Sequence, residues 1–206
     1  MKKYVLILAL LASVALGIEV TGVVGLNTQT WDDGNGNIGS GAGLHAGILG
    51  SIGITPSCLP VYVGVETGFL IQRANYTWEN FLFEDTDLNW HYNNLVIPIL
   101  LKGTLKPTGG FHVGAGLGFS IISNLSGSWD YDLGTIRFEG DFDDDDMETD
   151  LGLQIKGDVG IKLIPMLWLK PSVTVQLNLT ADDKDTENQK ESENAIFFSV
   201  GLAIKP

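Results

Sequence analysis

Alternation with a period of two runs through almost the whole chain and limits what it can become. Eight segments carry it or are strongly β-forming: 19–30, 41–55, 61–77, 90–106, 110–124, 150–164, 167–180 and 195–205. Side chains alternate across a strand, so such a pattern gives each strand one apolar and one polar or small face. In 110–124, Phe111, Val113, Leu117, Phe119 and Ile121 oppose His112, Gly114, Gly116, Gly118 and Ser120. In 150–164, Leu151, Leu153, Ile155, Val159 and Ile161 oppose Gln154, Lys156, Asp158 and Lys162. Helical periodicity is nearly absent. Most segments exceed the ~9–11 residues that a tilted strand needs to cross a bilayer.

Two architectures produce this pattern. A soluble up-and-down barrel turns the apolar face inward, whereas a membrane barrel turns it toward lipid. The polar face here is rich in glycine, a residue that occurs 26 times in the chain. It is poor in the Lys and Glu that a water-facing surface carries. Small inward residues suit the narrow interior of eight strands. The expected fold is all-β: an eight-stranded antiparallel up-and-down transmembrane β-barrel, with a soluble lipocalin-like binder as its rival.

The connections support the membrane form. Short ones (55–60, 106–110, 164–166) alternate with long ones (31–40, 79–88, 126–149, 180–194). That is the order of short periplasmic turns and long external loops. Of the 25 acidic residues, all but Glu19, Glu66 and Asp158 fall in or at the ends of the long connections. Those three fall on the inward face, which leaves the lipid face free of carboxylates. The stretch from WDYD to EGDF has arms too short to span a bilayer and is expected to form a hairpin above it. Pro98 and Pro171 lie inside strands and remove ladder donors, so bulges or ladder gaps are expected there.

Residues 1–17 have the form of a secretory signal peptide. Lys2 and Lys3 precede an apolar run, and Ala15 and Gly17 sit before the expected cut. Residues 18–206 would then be the barrel domain. A single cysteine, Cys58, rules out an intramolecular disulfide. The formal net charge of −13 argues against a nucleic-acid partner.

Residues 95–106, LVIPILLKGTLK, resemble the "IP-LLK" strand of small outer-membrane β-barrel proteins of the porin or PorT-like kind. GFHVGAGLGFSI, after the KPTGG turn, is similar to the next strand of those proteins, and EVTGVVGLNTQTW to their opening strand. The resemblance implies an eight-stranded barrel in the outer membrane of a Gram-negative-type cell, with outer-membrane lipid and the barrel-assembly machinery as partners. It implies no shared activity. The chain departs from many outer-membrane barrels in ending Ile204-Lys205-Pro206 rather than on an aromatic residue.

The inward charged set is Glu19, Glu66, Lys102, Lys156, Asp158, Lys162 and Lys170. It reads either as interior ion pairs filling a plugged barrel or as the lining of an ion path. No catalytic, cofactor or metal residue is assigned. His45 and His112 fall on the inward face. His91 lies near the external rim with Asp87, Ser123 and Ser126 in reach, which is the weak basis for a rim lipid hydrolase or acyltransferase. GAGLG at 114–118 reads as a strand face, not a phosphate loop, because no helix follows it. Trp78, Trp90, Trp129 and Trp168 fall near strand ends, as an interfacial girdle would. The acidic run FEGDFDDDDMETD (138–150) fails the spacing of a calcium-binding EF-hand. It reads as part of a solvated crown, with weak divalent-cation binding as a secondary role. The favoured function is a monomeric barrel with a structural or surface-interaction role. A narrow porin-like channel is the alternative.

Overall fold

A computed structural model of the chain describes residues 18–32, 38–55, 61–79, 86–108, 110–132, 136–142, 149–180 and 192–205. The expected leader (1–17) lies outside them. The described residues form nine strands: β1 (Glu19–Asp32), β2 (Ile38–Gly53), β3 (Val61–Glu79), β4 (Asp87–Thr108), β5 (Phe111–Asp132), β6 (Arg137–Asp141), β7 (Thr149–Ile164), β8 (Leu167–Asn178) and β9 (Ser192–Ile204). Every pairing is antiparallel. The β1–β9 and β4–β5 pairings close eight of the strands into a barrel. The ninth strand, β6, pairs only with the far end of β5, from Ser128 to Asp132. It is the expected hairpin standing above the barrel.

All eight expected barrel strands are present, and several run further into the loops than the alternation showed. β1 and β2 leave only residues 33–37 between them, fewer than the 54–60 connection at the other end. The expected long–short contrast therefore fails at the first loop. It fails because these strands keep pairing beyond the apolar belt, where glycines and threonines replace the alternation. At the opposite end the β4–β5 and β7–β8 links shrink to residues 109–110 and 165–166. Met166 takes φ of 69° there, after Pro165. Proline followed by a left-handed residue is the type II turn pattern.

The outward face is a continuous apolar belt. Leu26, Leu44, Phe69, Leu101, Leu117, Phe119, Phe198 and Leu202 each leave half or more of their surface uncovered. The polar residues of the same strands are covered: Thr21, Gln72, Lys102, Gln154 and Gln176 are all buried inside. This inverts a soluble barrel, and an apolar patch of that extent is stable only against lipid. The fold is an eight-stranded transmembrane barrel.

The prolines behave as expected, as ladder gaps without bulges. Around Pro98, β3–β4 pairing stops at Thr67↔Ile99 and resumes in the same register at Leu70↔Val96. Around Pro171, β7–β8 pairing breaks between Asp158↔Ser172 and Ile161↔Leu169, again without a shift. On their other sides both prolines stay in register, Pro98 with Ser120 and Pro171 with Val200. The β4–β5 pairing shifts register at Asn93/Asn94, opposite Leu125, and again at Leu105/Thr108 beside the short turn.

A charge placed on the outward belt should be poorly tolerated. Leu101→Arg is expected to lose about 2–4 kcal/mol of unfolding free energy in lipid vesicles, read by urea titration. Unchanged stability would instead place Leu101 on a water-facing surface and overturn the lipid-facing belt.

Candidate functional site in the barrel interior

Residues of one parity on each strand point into the lumen, and those near the short-turn end are charged. Glu19 comes from β1, Glu66 from β3, Lys102 from β4, Lys156 and Asp158 from β7, and Lys170 from β8. All six are buried, with Glu66 2% and Asp158 3% exposed. Lys162, expected among them, has the same parity but lies beyond Gly160 near the end of β7, where it is exposed. Parity gave its direction but not its height, and beside Trp168 at the mouth it stays outside the buried set.

The buried six join into one alternating chain. Glu66 accepts from both Lys156 and Lys102, the latter at 3.0 Å. Lys102 Nζ also lies 2.6 Å from Asp158 Oδ2, and Lys170 Nζ lies 4.0 Å from Asp158 Oδ1. Lys170 donates to Glu19, whose second oxygen lies 3.2 Å from Lys205 Nζ. The order is Lys156–Glu66–Lys102–Asp158–Lys170–Glu19–Lys205, running from mid-barrel to the short-turn mouth. Lys205 completes it and was not in the sequence-derived set. The signal available was its parity with Ala203 and Gly201, the inward residues of β9. Three carboxylates meet four ammonium groups, so each acid lies between two bases. That arrangement is what makes buried charge tolerable. Asp158 is held chiefly by its close pair with Lys102, with Lys170 on its other oxygen.

Glycine makes room for this chain. A Cβ on Gly114 would lie 2.7 Å from Asp158 Oδ2, and one on Gly160 would run into the His112 ring. GAGLG is thus a strand face hollowed for Asp158 and Leu100. His112 sits below, 3.9 Å from Asp158, with its ring 4.9 Å from that of Trp168. Lys205 lies 5.4 Å from the Tyr62 ring centre and 5.9 Å from that of Trp168.

Above the charges the filling changes twice. Ser120 and Gln154 donate to Gln176 at 3.2 and 2.7 Å. Beside them Val23, Leu49, Leu70, Val96 and Ile122 form an inward apolar cluster. Nearer the long-loop end Trp31, Tyr76, Trp78, Trp90, Tyr92 and Phe142 pack ring on ring. Trp78 and Trp90 are 4.7 Å apart, and Tyr92 and Phe142 stack at 5.0 Å. The expected interfacial girdle is therefore corrected. Trp78 and Trp90 share parity with the inward residues, and a strand-end position alone does not fix the face. Trp168 likewise faces the short-turn mouth. A cavity of about 20 Å³ lies between the charges and the apolar cluster, lined by Glu66, Lys156, Val23, Leu49 and Leu70 among others. That is room for about one water.

The structure separates the histidines from the catalytic arrangement considered for them. His91 Nδ1 meets Asn75 at 2.9 Å and Nε2 meets Asp130 at 3.2 Å, while Ser126 pairs with Asn93 instead. His45 Nε2 meets Ser199 Oγ at 2.8 Å, deep in the lumen, but its Nδ1 has no orienting partner. No group of three or more potential metal ligands occurs among the described residues. Residues 143–148 of the acidic run, with five of its eight carboxylates, lie outside the described residues.

No family model matches the chain. No curated protein matches it significantly. Among solved structures it is similar to Neisserial surface protein A at 13% identity, covering 92% of this chain and 97% of that one, with a TM-score of 0.43. It is similar to the outer membrane protein OprG of Pseudomonas aeruginosa at 13% identity, covering 92% and 96%, with a TM-score of 0.45. It is also similar to the outer membrane protease OmpT of Escherichia coli at 8% identity, covering 92% and 96%, with a TM-score of 0.47. At these identities no role passes from them to this chain.

Two predictions follow from the geometry. Lys102→Met leaves Glu66 and Asp158 short of a partner and should cost about 3–5 kcal/mol in urea unfolding. Adding Asp158→Asn should recover part of that loss, and an additive double variant would show that the two groups are not coupled. The second concerns the hairpin above the barrel. Burial raises the Asp130 pKa, but hydrogen bonds from Asn89 and His91 and the charge of Arg137 outweigh it and hold the carboxyl below its usual value. Its stabilisation is therefore full above the unfolded carboxyl value of about 3.9 and is lost as pH falls through the folded one. NMR of β6 amides should show the hairpin loosening at acid pH. Asp130→Asn should flatten that dependence.

Proposed function

We propose that the chain is an outer-membrane protein with a filled barrel. On this reading the barrel is a scaffold that holds acidic loops at the cell surface for a structural or surface-interaction role. The observation that carries it is the filling of the lumen: ion pairs at one end, amides and aliphatic side chains in the middle, and aromatic rings at the other. A hydrated ion path needs a continuous polar passage, and the apolar cluster interrupts one. The seven-member charge chain then serves to pair its own buried charges, each acid between two bases. The placement of Asp32, Glu79, Asp87, Glu139 and Asp141 at the long-loop end supports that end as the external one. Lipid and the barrel-assembly machinery are the partners this reading requires. Weak divalent binding by the acidic loops is compatible with it.

Planar-bilayer recording of the purified full chain tests the reading. Baseline current without discrete openings is the expected result. Reproducible unitary steps would replace the scaffold reading with that of a narrow channel. Leu70→Ala and Val96→Ala should then increase such steps by thinning the apolar cluster.

A further inference from the structure

The outward face of β3, β4 and β5 changes character at one level. Below it stand Ile71, Leu95 and Leu125, with Ile71 46% and Leu125 54% exposed. At it stand Arg73, Asn93 and Ser126, cross-strand neighbours in one row (Arg73↔Asn93, Asn93↔Ser126). The next row up is Asn75, His91 and Ser128, and above that Thr77, Asn89 and Asp130. The first polar row lies where the apolar belt ends, which is the depth of lipid headgroups.

The charges in this patch are distributed unevenly. The chain is strongly acidic, yet its two arginines, Arg73 and Arg137, both project from this side of the long-loop end. Arg137 is committed to Asp130 at 3.1 Å. Arg73 is exposed, and among the described residues the one hydrogen bond of its guanidinium is a long contact of 3.4 Å from Nε to Asn75 Oδ1. Beside it Asn93 donates to Ser126 at 2.9 Å, so an amide and a hydroxyl extend the row. The row itself holds no carboxylate. Among the described residues the first carboxylate above it is Asp141, in the second row across from Ser128, and in the third row Asp130 is paired with His91 and Arg137. Glu79 and Asp87 stand higher still, facing each other at the strand ends.

We propose that the Arg73–Asn93–Ser126 row seats the phosphate of a membrane lipid in the leaflet at the long-loop end. The charge complementarity is specific to that occupant. A guanidinium offers a planar fork that matches phosphate oxygens, and the neighbouring amide and hydroxyl supply neutral donors. The acyl chains of the same lipid would lie along Ile71, Leu95 and Leu125. The carboxylates of Glu79, Asp87 and Glu139, higher on β3, β4 and β6, repel anions in solution, so an anion reaches Arg73 from the membrane side. This inference rests on the membrane-spanning reading of the barrel.

The test uses the full chain in bilayer discs of a phosphate-free dihexosyl diacylglycerol containing some phosphatidic acid. Native mass spectrometry after release into detergent counts the lipid retained. Wild-type protein should retain phosphatidic acid about tenfold better than Arg73→Gln, the loss of one charged hydrogen-bonding group. Arg73→Lys should fall between them, because it keeps the charge and loses the fork. Lys162→Gln, at the opposite mouth, should match wild type. Equal retention by wild type and Arg73→Gln would overturn the proposal, as would equal retention of the phosphate-free lipid. Should Arg73→Gln not insert, the comparison of Arg73→Lys with wild type decides, and no loss there overturns it. A wild-type chain that stays out of the discs would overturn the membrane reading and this seat with it. Insertion without phosphate preference overturns the seat alone.

Discussion

Hydrocarbon offers no hydrogen-bond partner, so every backbone N–H and C=O at that depth must find one inside the protein. Closure of the sheet through β1–β9 and β4–β5 is this chain's answer, and the rest of its organisation depends on it. Once the edges are gone, the two faces of each strand lie in different solvents. One side must be apolar because it meets lipid, and the other must fill a cylinder too narrow for bulk water. The gaps at Pro98 and Pro171 show how much irregularity closure allows. Each proline loses pairing on one side and keeps it on the other, so the register survives and the wall stays closed.

The interior meets its constraint with three kinds of filling, and their order is physically consistent. Charges are grouped where the mouth is near, at Glu19 and Lys205, and each carboxylate further in lies between two lysines. A lone lysine at the level of Glu66 would carry the full penalty of a buried charge. Linked through Asp158, the members share it. Neutral amides and aliphatic side chains take over in the middle. Tyr76, Trp78, Trp90 and Tyr92 then occupy the long-loop end with large rings, which fill volume with few polar atoms to satisfy. The buried hydroxyl of Tyr76 is satisfied by donating to Glu193.

Fold and site differ in how far the sequence reveals them. Strand number, face and the position of each proline follow from local spacing, since alternation depends only on neighbours two apart. The inward placement of Glu19, Glu66, Lys102, Lys156, Asp158 and Lys170 follows for the same reason. What connects them does not. Lys156 and Glu66 are 90 residues apart, and Lys170 and Glu19 are 151 apart. Their meeting depends on strand stagger around the closed barrel, which no local pattern encodes. Lys162 shows the same limit from the other side, having the right face but the wrong height. Val23, Leu49, Leu70 and Val96 were hidden differently. They are apolar residues on the inward face, so in the sequence they look like breaks in the alternation, although they help to fill the middle of the lumen.

Height is also what gives the outer surface its meaning. Residues of one parity on β3 run Phe69, Ile71, Arg73, Asn75, Thr77, and the change from apolar to polar between Ile71 and Arg73 recurs on β4 between Leu95 and Asn93. Two adjacent strands changing at paired positions mark a plane, not a local accident. The strands continue above that plane and carry β6 and the aromatic cup with them. The barrel is therefore taller than the membrane it spans. Its upper part folds under the rules of water, where Asp130 can be ionised and held by Asn89, His91 and Arg137. Its lower part folds under those of lipid, where Asp158 needs lysines on both sides.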